Sequence, residues 1–212
     1  MIKVKAFVCN PFGENTYILS DETGECVIID PGMYTGEEQN EIVSYIKEEK
    51  LSPVLLLNTH CHIDHVLGNK FVNEMFDLLP QTHEQELPML ESVSAFAAPM
   101  GIRYELSPRP EHYLEEGGKV NFGNSGLEII LAPGHSPGHT CFYSAASNFL
   151  IGGDVLFYRS IGRTDLPGGN YQQLITSIRE KLFKLPENCV VYPGHGQATS
   201  IGYEKQYNPF LN

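Results

Sequence analysis

The stretch Thr59-His60-Cys61-His62-Ile63-Asp64-His65 is the most informative in the chain, because it places three imidazoles and one carboxylate within six positions. It follows directly on the apolar run Val54-Leu55-Leu56-Leu57, which predicts a buried strand. Neutral imidazoles and carboxylates suit zinc, iron and manganese, and a buried polar cluster without partners is costly. The stretch therefore predicts a metal site at the end of a strand.

The spacing within this motif indicates two metal positions rather than one. His60 and His62 are two residues apart, so in an extended segment both side chains project to the same side. Asp64 and His65 lie where the chain is expected to turn into a helix, so they approach from a different direction. Cys61 is expected to point away from the two flanking histidines and to pack in the core.

Three later segments each end a predicted strand with a glycine-containing turn and one ligand-type residue: Pro133-Gly134-His135, Gly152-Gly153-Asp154 and Pro193-Gly194-His195. Glycine lets the backbone turn tightly beside a ligand, and open sheets place their sites in loops at strand ends. His135 and His139 compete for one position. His135 directly follows the strand, so we interpret it as the ligand and His139 as a supporting residue. His83 and His112 are interpreted as surface residues.

Length and charge limit the classes of function. The 212 residues predict a single domain over 1–212, with an irregular, proline-containing insertion at about 81–116 that either roofs the site or decorates the surface. The net charge of −12 argues against nucleic acid as a substrate, because phosphate binding needs a basic face. It does not exclude a small anionic substrate, since metal ions and a few arginines can dominate locally.

The sequence predicts a cytoplasmic protein. The N-terminus has no features of a signal peptide, and no apolar run is long enough to span a membrane. Five cysteines without paired spacing predict free thiols in a reducing compartment.

Hydrophobic periodicity predicts the secondary structure around the motif. Strands are expected at Ile2–Val8, Thr16–Ser20, Cys26–Asp30, Val54–Asn58, Leu127–Leu131, Thr140–Ser144, Phe149–Ile151 and Val190–Tyr192. Helices are expected from a Thr35 cap to about Lys50, from about Val66 to Phe76, and from about Asn170 to Leu185. Two strand-rich halves that each supply ligands from strand ends suggest two sheets packed face to face with outer helices.

The ordered set of histidines and aspartates resembles the metallo-β-lactamase superfamily. More closely, the chain resembles the short glyoxalase II-like (hydroxyacylglutathione hydrolase-like) enzymes, which carry similar segments to those found here at Asn15-Thr16-Tyr17, Asp30-Pro31-Gly32 and Gly162-Arg163-Thr164-Asp165. The resemblance runs from Asn15 to His195. Antibiotic-hydrolysing members commonly have cysteine where Asp154 stands and carry an export signal, which argues against a β-lactamase.

The resemblance implies an α+β fold, a four-layer αβ/βα sandwich, that binds two divalent metal ions. Zinc is expected, and iron or manganese would also suit the ligands. One ion would be held by His60, His62 and His135, and the other by Asp64, His65 and His195, with Asp154 bridging the two. The ions would lie roughly 3–4 Å apart. Asp64 would also orient the nucleophilic water and so act as the catalytic residue.

The activity implied is hydrolysis of a small-molecule thioester, such as a hydroxyacyl-glutathione, by a metal-bound hydroxide. Arg163 falls where glyoxalase II places a basic residue against glutathione, and Arg159 is the other basic residue near the site in sequence. A salt bridge from Arg163 to Asp165 is the alternative. The chain ends soon after His195, without the helical extension of full-length glyoxalase II, and Gly196 and Gln197 replace an acidic residue and a tyrosine that are common there.

Two other functions of the same fold remain open. One is a persulfide (sulfur) dioxygenase with one iron held by His60, His135 and Asp154, because the Gly162-Arg163-Thr164-Asp165 segment occurs there too. The other is a lactonase or another ester hydrolase, since one fold hosts many chemistries.

Overall fold

The apolar run before the histidine motif lies in a strand, Ser52–Leu57, as the sequence predicts. This strand belongs to the first of two units into which the chain divides in the computed structural model, which describes residues 1–211. The first unit contains Met1–Tyr113 with Asn121–Ser125, and the second contains Leu114–Val120 with the residues from Gly126 onward. The single domain expected over 1–212 stays a prediction.

The sheet of the first unit has five strands in the order β1-β2-β3-β4-β5. They are β1 Lys3–Cys9, β2 Glu14–Ser20, β3 Glu25–Ile29, β4 Ser52–Leu57 and β5 Pro80–Gln81. The pairs β1/β2 and β2/β3 are antiparallel, whereas β3/β4 and β4/β5 are parallel. Because β3 and β4 run parallel, their carboxyl ends meet at one edge, where Asp30 and the histidine motif follow.

Helix α1, Gly36–Glu48, begins at the predicted cap. The Thr35 side chain accepts a hydrogen bond from the Glu38 backbone, and the Glu38 carboxylate accepts one from the Thr35 backbone, which is a capping box. Ile42 and Ile46 are buried and join a core cluster with residues of the sheet, Phe7, Ile18, Ile28 and Leu56.

The single helix predicted from about Val66 to Phe76 is wrong in one respect, because it is two helices. Helix α2, Ile63–Val66, starts inside the motif, and helix α3, Asn69–Phe76, follows a break at Gly68. The Gly68 N–H donates to the Pro31 carbonyl at 2.7 Å, and a Cβ at Gly68 would lie 2.8 Å from that oxygen. The chain therefore bends where it binds the Asp30-Pro31-Gly32 turn.

The irregular section at 81–116 contains helix α4, Leu87–Ala97, flanked by 3₁₀ turns at Glu84–Glu86 and Ala98–Met100. Leu90 and Val93 of α4 pack against Cys61 and Val66 of the motif segment. This part of the insertion therefore forms a hydrophobic core with the motif segment and is not surface decoration. Its role as a roof stays a prediction.

A six-stranded sheet lies largely in the second unit, in the order β13-β12-β9-β8-β7-β6. Its strands are β6 Lys119–Phe122, β7 Ser125–Leu131, β8 Thr140–Ser144, β9 Phe149–Gly153, β12 Val190–Pro193 and β13 Thr199–Ser200. A separate hairpin pairs β10 Leu156–Phe157 with β11 Ser160–Ile161. Strands β9 and β12 are parallel, so Asp154 and His195 follow strand ends at one edge.

Helix α5, Tyr171–Glu180, is capped by the Asn170 side chain and is shorter than the predicted Asn170–Leu185. A 3₁₀ turn, Leu182–Lys184, replaces its last part, and Pro186 follows, which disfavours helical conformation in the residue before it. The buried stripe is as predicted, with Leu174, Ile178 and Leu182 in the core. Helix α6, Ile201–Tyr207, ends the described chain.

None of the helices in residues 1–211 has the length and hydrophobicity needed to cross a bilayer. The five cysteines are free and buried, which confirms the prediction of unpaired thiols.

Candidate metal centre

The first unit brings the four ligand-type residues of the motif together after β4. His60 and His65 are fully buried, whereas His62 and Asp64 are half-buried. The ring of His60 lies 4.7 Å from that of His62 and 4.1 Å from that of His65, between centroids. His65 Nε2 is 3.6 Å from Asp64 Oδ2. Ligand atoms bound to one ion at about 2.0–2.2 Å lie roughly 3–3.5 Å apart, so this pair is close to a metal-binding spacing.

Asp30 fixes the orientation of the motif through hydrogen bonds to Thr59 and His65. Its Oδ1 accepts from the Thr59 backbone N–H at 2.6 Å, and its Oδ2 accepts from the Thr59 hydroxyl at 2.5 Å. His65 Nδ1 lies 3.0 Å from Asp30 Oδ2, a distance at which the ring N–H donates to the carboxylate. These bonds show that Asp30, the first residue of the Asp30-Pro31-Gly32 segment, supports the motif.

The same network sets the tautomer of His60. The Thr59 hydroxyl gives its proton to Asp30, so its oxygen can accept from His60 Nδ1, which lies 3.0 Å away. In both His60 and His65 the Nδ1 atom is thus engaged by the network, and Nε2 is the nitrogen left to bind a metal. A preformed metal site requires histidines whose Nε2 carries no proton. The histidines of the first unit meet this requirement, so they fit a divalent ion. Asp30, His60 and His65 also offer ligand atoms within 4.8 Å of one another, but both Asp30 oxygens already accept from neighbours.

The segments shared with the glyoxalase II-like enzymes act as supports for the motif. The Thr16 hydroxyl accepts from the Gly32 N–H at 2.9 Å, and the Asn10 side chain donates to the carbonyls of Gly32 and Asp64. Glu14 is fully buried, its Oε2 accepts from Thr16, and burial raises its pKa well above the usual range. Sequence reasoning missed Asn10, Glu14 and Thr59, because their partners are distant in the chain or lie in the backbone.

Glu86, which lies in the insertion at about 81–116, holds the middle of the motif by a hydrogen bond to Cys61. Its Oε2 accepts from the Cys61 backbone N–H at 2.9 Å, and the Glu86 side chain is fully buried. Cys61 Sγ lies 3.8 Å from the Thr82 hydroxyl, and burial raises the pKa of the thiol well above its usual value. These contacts agree with Cys61 as a packing residue. The loop between His60 and His62 is therefore set by a carboxylate that follows it by more than twenty residues.

We expect Glu86→Ala to lower the free energy of unfolding by about 1–3 kcal/mol, because the buried Cys61 N–H loses its acceptor. The same change should weaken zinc binding about tenfold or more, as for other residues that orient metal ligands. Unfolding of the metal-free protein and zinc titration measure the two effects. Glu86→Gln keeps an acceptor oxygen and should restore much of both, while Glu84→Ala in the same 3₁₀ turn is the exposed control. Equal zinc affinity in Glu86→Ala and Glu84→Ala would contradict the positioning role.

The second unit brings together the other three predicted ligands, with His135 and His195 beside Asp154. One oxygen of Asp154, Oδ2, lies 3.6 Å from His135 Nε2 and 3.6 Å from His195 Nε2. His135 Nδ1 lies 2.8 Å from the Arg163 carbonyl, to which it donates, so its Nε2 is the nitrogen left to bind a metal. The donor set again fits a divalent cation, and the shared oxygen suits the bridging role predicted for Asp154.

His139 contacts the backbone of Asp154 and not its carboxylate. Its Nε2 accepts from the Asp154 backbone N–H at 3.0 Å, and the side chain is fully buried. This contact agrees with the choice of His135 over His139 as the ligand. His112 is exposed as predicted, whereas His83 is half-buried and caps the 3₁₀ turn at Glu84–Glu86.

The two arginines that the sequence proposed for substrate binding differ in their surroundings. Both are exposed. Arg163 forms two parallel hydrogen bonds with the Asp165 carboxylate, at 2.8 and 2.7 Å, which is the salt bridge considered as the alternative. That pair raises the pKa of Arg163 and lowers the pKa of Asp165 to about 2, chiefly through the hydrogen bonds between them. The Arg159 guanidinium has no ion pair among the described residues, although its backbone N–H donates to Glu204.

The fold and these ligand sets define the class of protein. Residues 9–195 match the family model of the metallo-β-lactamase superfamily, and the chain belongs to that superfamily. A probable metallo-hydrolase, YqgX of Bacillus subtilis, is 40% identical over 212 residues, covering 100% of this chain and 98% of that protein. The hydroxyacylglutathione hydrolase GloC of Haemophilus influenzae is 35% identical over 203 residues, covering 95% and 94%.

Two solved structures are similar over the whole chain. The BLEG-1 B3 metallo-β-lactamase has a TM-score of 0.89 at 34% identity and covers 100% of both chains. TTHA1623 in a di-iron-bound form has a TM-score of 0.88 at 36% identity and covers 98% of this chain and 100% of that one. The predicted α+β metallo-β-lactamase fold is thus confirmed. The individual ligand roles of the seven residues stay predictions.

Proposed function

We propose that this member of a metallo-hydrolase family hydrolyses a small-molecule thioester, such as a hydroxyacyl-glutathione, at a centre of two divalent metal ions. The observation that carries the proposal is that each unit presents its part of the predicted ligands in a prearranged form. In both sets a histidine has its Nδ1 engaged by an acceptor and its Nε2 within 3.6 Å of a carboxylate oxygen. The likeness to GloC over nearly the whole chain supports a thioester as substrate.

The residues that would hold the ions are those expected from the sequence. His60, His62 and His135 would hold one, and Asp64, His65 and His195 the other, with Asp154 between them. Zinc suits this set, and the di-iron form of TTHA1623 supports iron as a second possibility. When bound, such ions supply a water molecule that loses its proton near neutral pH and a positive charge for the developing oxyanion.

The side chains of this chain would orient the reactants. The Asp64 carboxylate, half-buried beside His65, would accept a hydrogen bond from the nucleophilic water and so fix its direction. Asp30 and Thr59 keep the imidazoles of His60 and His65 in one tautomer, so that no proton on Nε2 competes for the site. A thiolate leaving group needs little protonation, and therefore no separate general acid is required.

The test is release of free thiol from a hydroxyacyl-glutathione thioester, measured on protein as purified, after chelation, and after addition of zinc or iron. We expect turnover that chelation abolishes and metal restores. Oxygen uptake with glutathione persulfide, without release of thiol from the thioester, would instead establish the dioxygenase. A lactone and a β-lactam complete the panel, and preference for either over the thioester would contradict the proposed substrate class.

A further inference from the structure

The β10–β11 hairpin, Leu156 to Ile161, starts two residues after the central carboxylate Asp154. The ring of Phe157 lies 6.4 Å from that of His195, between centroids, so one strand of the hairpin lies beside a predicted metal ligand. Tyr158 and Arg159 form its turn, and both side chains are exposed. Tyr158 and Arg159 are one and two residues from Phe157 in the chain, so the turn follows directly on the residue that contacts His195.

The turn is held rigidly by α6. Arg159 has φ +54°, a left-handed conformation that is uncommon outside glycine. Its backbone N–H donates to the buried Glu204 carboxylate at 3.0 Å, and the Asn208 side chain donates to the Ser160 carbonyl at 2.9 Å. Asn208 and Thr199 also donate to Glu204. A strained residue fixed by buried polar groups on both of its sides is typical of a functional position.

The aromatic rings beside the turn leave one hydroxyl proton available. Tyr158 stacks on Tyr203 of α6, with 5.1 Å between centroids and 19° between planes. The Tyr203 hydroxyl donates to the Tyr158 hydroxyl at 3.0 Å, and this hydrogen bond is the main cause of a raised pKa at Tyr203. The Tyr158 hydroxyl therefore accepts a hydrogen bond from Tyr203 and can still donate its own proton to a ligand.

Charge indicates what such a group would bind. The chain carries a net charge of −12, so an anionic substrate needs positive charge close to where it docks. Arg163 is already paired with Asp165, whereas the Arg159 guanidinium has no ion pair within residues 1–211. A cation and a hydroxyl donor on one rigid turn suit a carboxylate or phosphate oxygen.

We propose that Arg159 and the Tyr158 hydroxyl form the binding site for the anionic end of the substrate's thiol carrier, and that Glu204 and Asn208 of α6 position this site. Arg163 would be secondary, because binding a substrate would require it to leave Asp165. The inference rests on the proposed thioester hydrolysis and deepens it, since it assigns recognition of the carrier to this hairpin.

The experiment compares KM and kcat for three thioesters of one acyl group: a glutathione thioester with carboxylates, a coenzyme A thioester with phosphates, and a neutral N-acetylcysteamine thioester. Arg159→Gln should raise KM for at least one anionic thioester about tenfold or more, and far more than for the neutral one. The anionic thioester that responds identifies the recognised group as carboxylate or phosphate. Tyr158→Phe keeps the stacked rings, so it should raise the same KM without lowering the melting temperature.

Three controls separate recognition from structure. Lys119→Gln makes the same change of charge at an exposed lysine of β6 that pairs with Glu128. Tyr203→Phe keeps the stack and removes only the donor to Tyr158, so its effect should be smaller than that of Tyr158→Phe. Binding of S-methylglutathione, a thioether that cannot be hydrolysed, gives Kd without turnover and should weaken in Arg159→Gln if carboxylate is recognised.

Each outcome decides between the two proposals. Hydrolysis of all three thioesters with equal KM changes in Arg159→Gln and Lys119→Gln would overturn the binding site and leave the proposed function intact. Hydrolysis of none of them would overturn the proposed function, and this inference with it. A loss in Tyr158→Phe confined to melting temperature would assign the tyrosine pair to structure.

Discussion

Asp64→Ala is expected to keep its fold and one bound metal ion and to lose thioester turnover by about 10² or more. The half-buried Asp64 carboxylate is expected to bind the second ion and to orient the nucleophilic water. The substitution removes both interactions at once. The backbone here is held by other groups, since Asn10 donates to the Asp64 carbonyl and Gly68 to the Pro31 carbonyl. The measurements are kcat, metal content and melting temperature.

The control for this substitution is Glu48→Ala, which removes an exposed carboxylate from α1 in the same unit. It should match the wild type in all three measurements. Turnover of Asp64→Ala near the wild-type rate would contradict the role of Asp64 and support a mononuclear mechanism.

Gly162→Ala should have the largest effect on the second unit. A Cβ at Gly162 would lie 1.9 Å from the Asp154 carbonyl oxygen and 3.2 Å from His135 Nδ1, so the backbone beside two predicted ligands must move. Overpacking typically costs 1–3 kcal/mol. With backbone on the opposing side, we expect about 3 kcal/mol, or roughly 6–12 °C in Tm, from this change.

A merely steric defect and damage to the metal site can be told apart. Gly162→Ala should also bind zinc more weakly, because Asp154 and the Arg163 carbonyl that orients His135 both move with it. Gly36→Ala, at the first residue of α1 where a Cβ meets nothing within 4 Å, is the matched control and should not destabilise the protein. Normal zinc affinity in a destabilised Gly162→Ala would show that the ligands are not displaced.

The parts of the fold that the sequence predicted are those with a local signal. The alternation or continuity of apolar residues located four strands of each sheet, β1 to β4 and β7, β8, β9 and β12, to within a few residues, and Thr35 marked the start of α1. The shorter strands β5, β6 and β13 were not predicted. The break between α2 and α3 has a cause that lies in the tertiary structure. The chain breaks at Gly68 because it binds Pro31, which lies in a different turn.

The same distinction applies to the candidate site. Histidines and aspartates at strand ends are visible in the sequence, and the structure brings them together within each unit. The residues that orient them are not visible, because Glu86 reaches Cys61 and Asp30 reaches His65 across long chain separations. The pairing of Arg163 with Asp165 involves near neighbours, and for that reason the sequence could raise it as an alternative.

The number of metal ions bound per chain is the most direct test of the binuclear centre. The protein would be saturated with zinc, and in parallel with iron, freed of excess metal, and examined by elemental analysis together with Asp64→Ala. The seven predicted ligands should bind two ions per chain in the wild type and one in Asp64→Ala. One ion per chain in the wild type after saturation with either metal would contradict the binuclear centre.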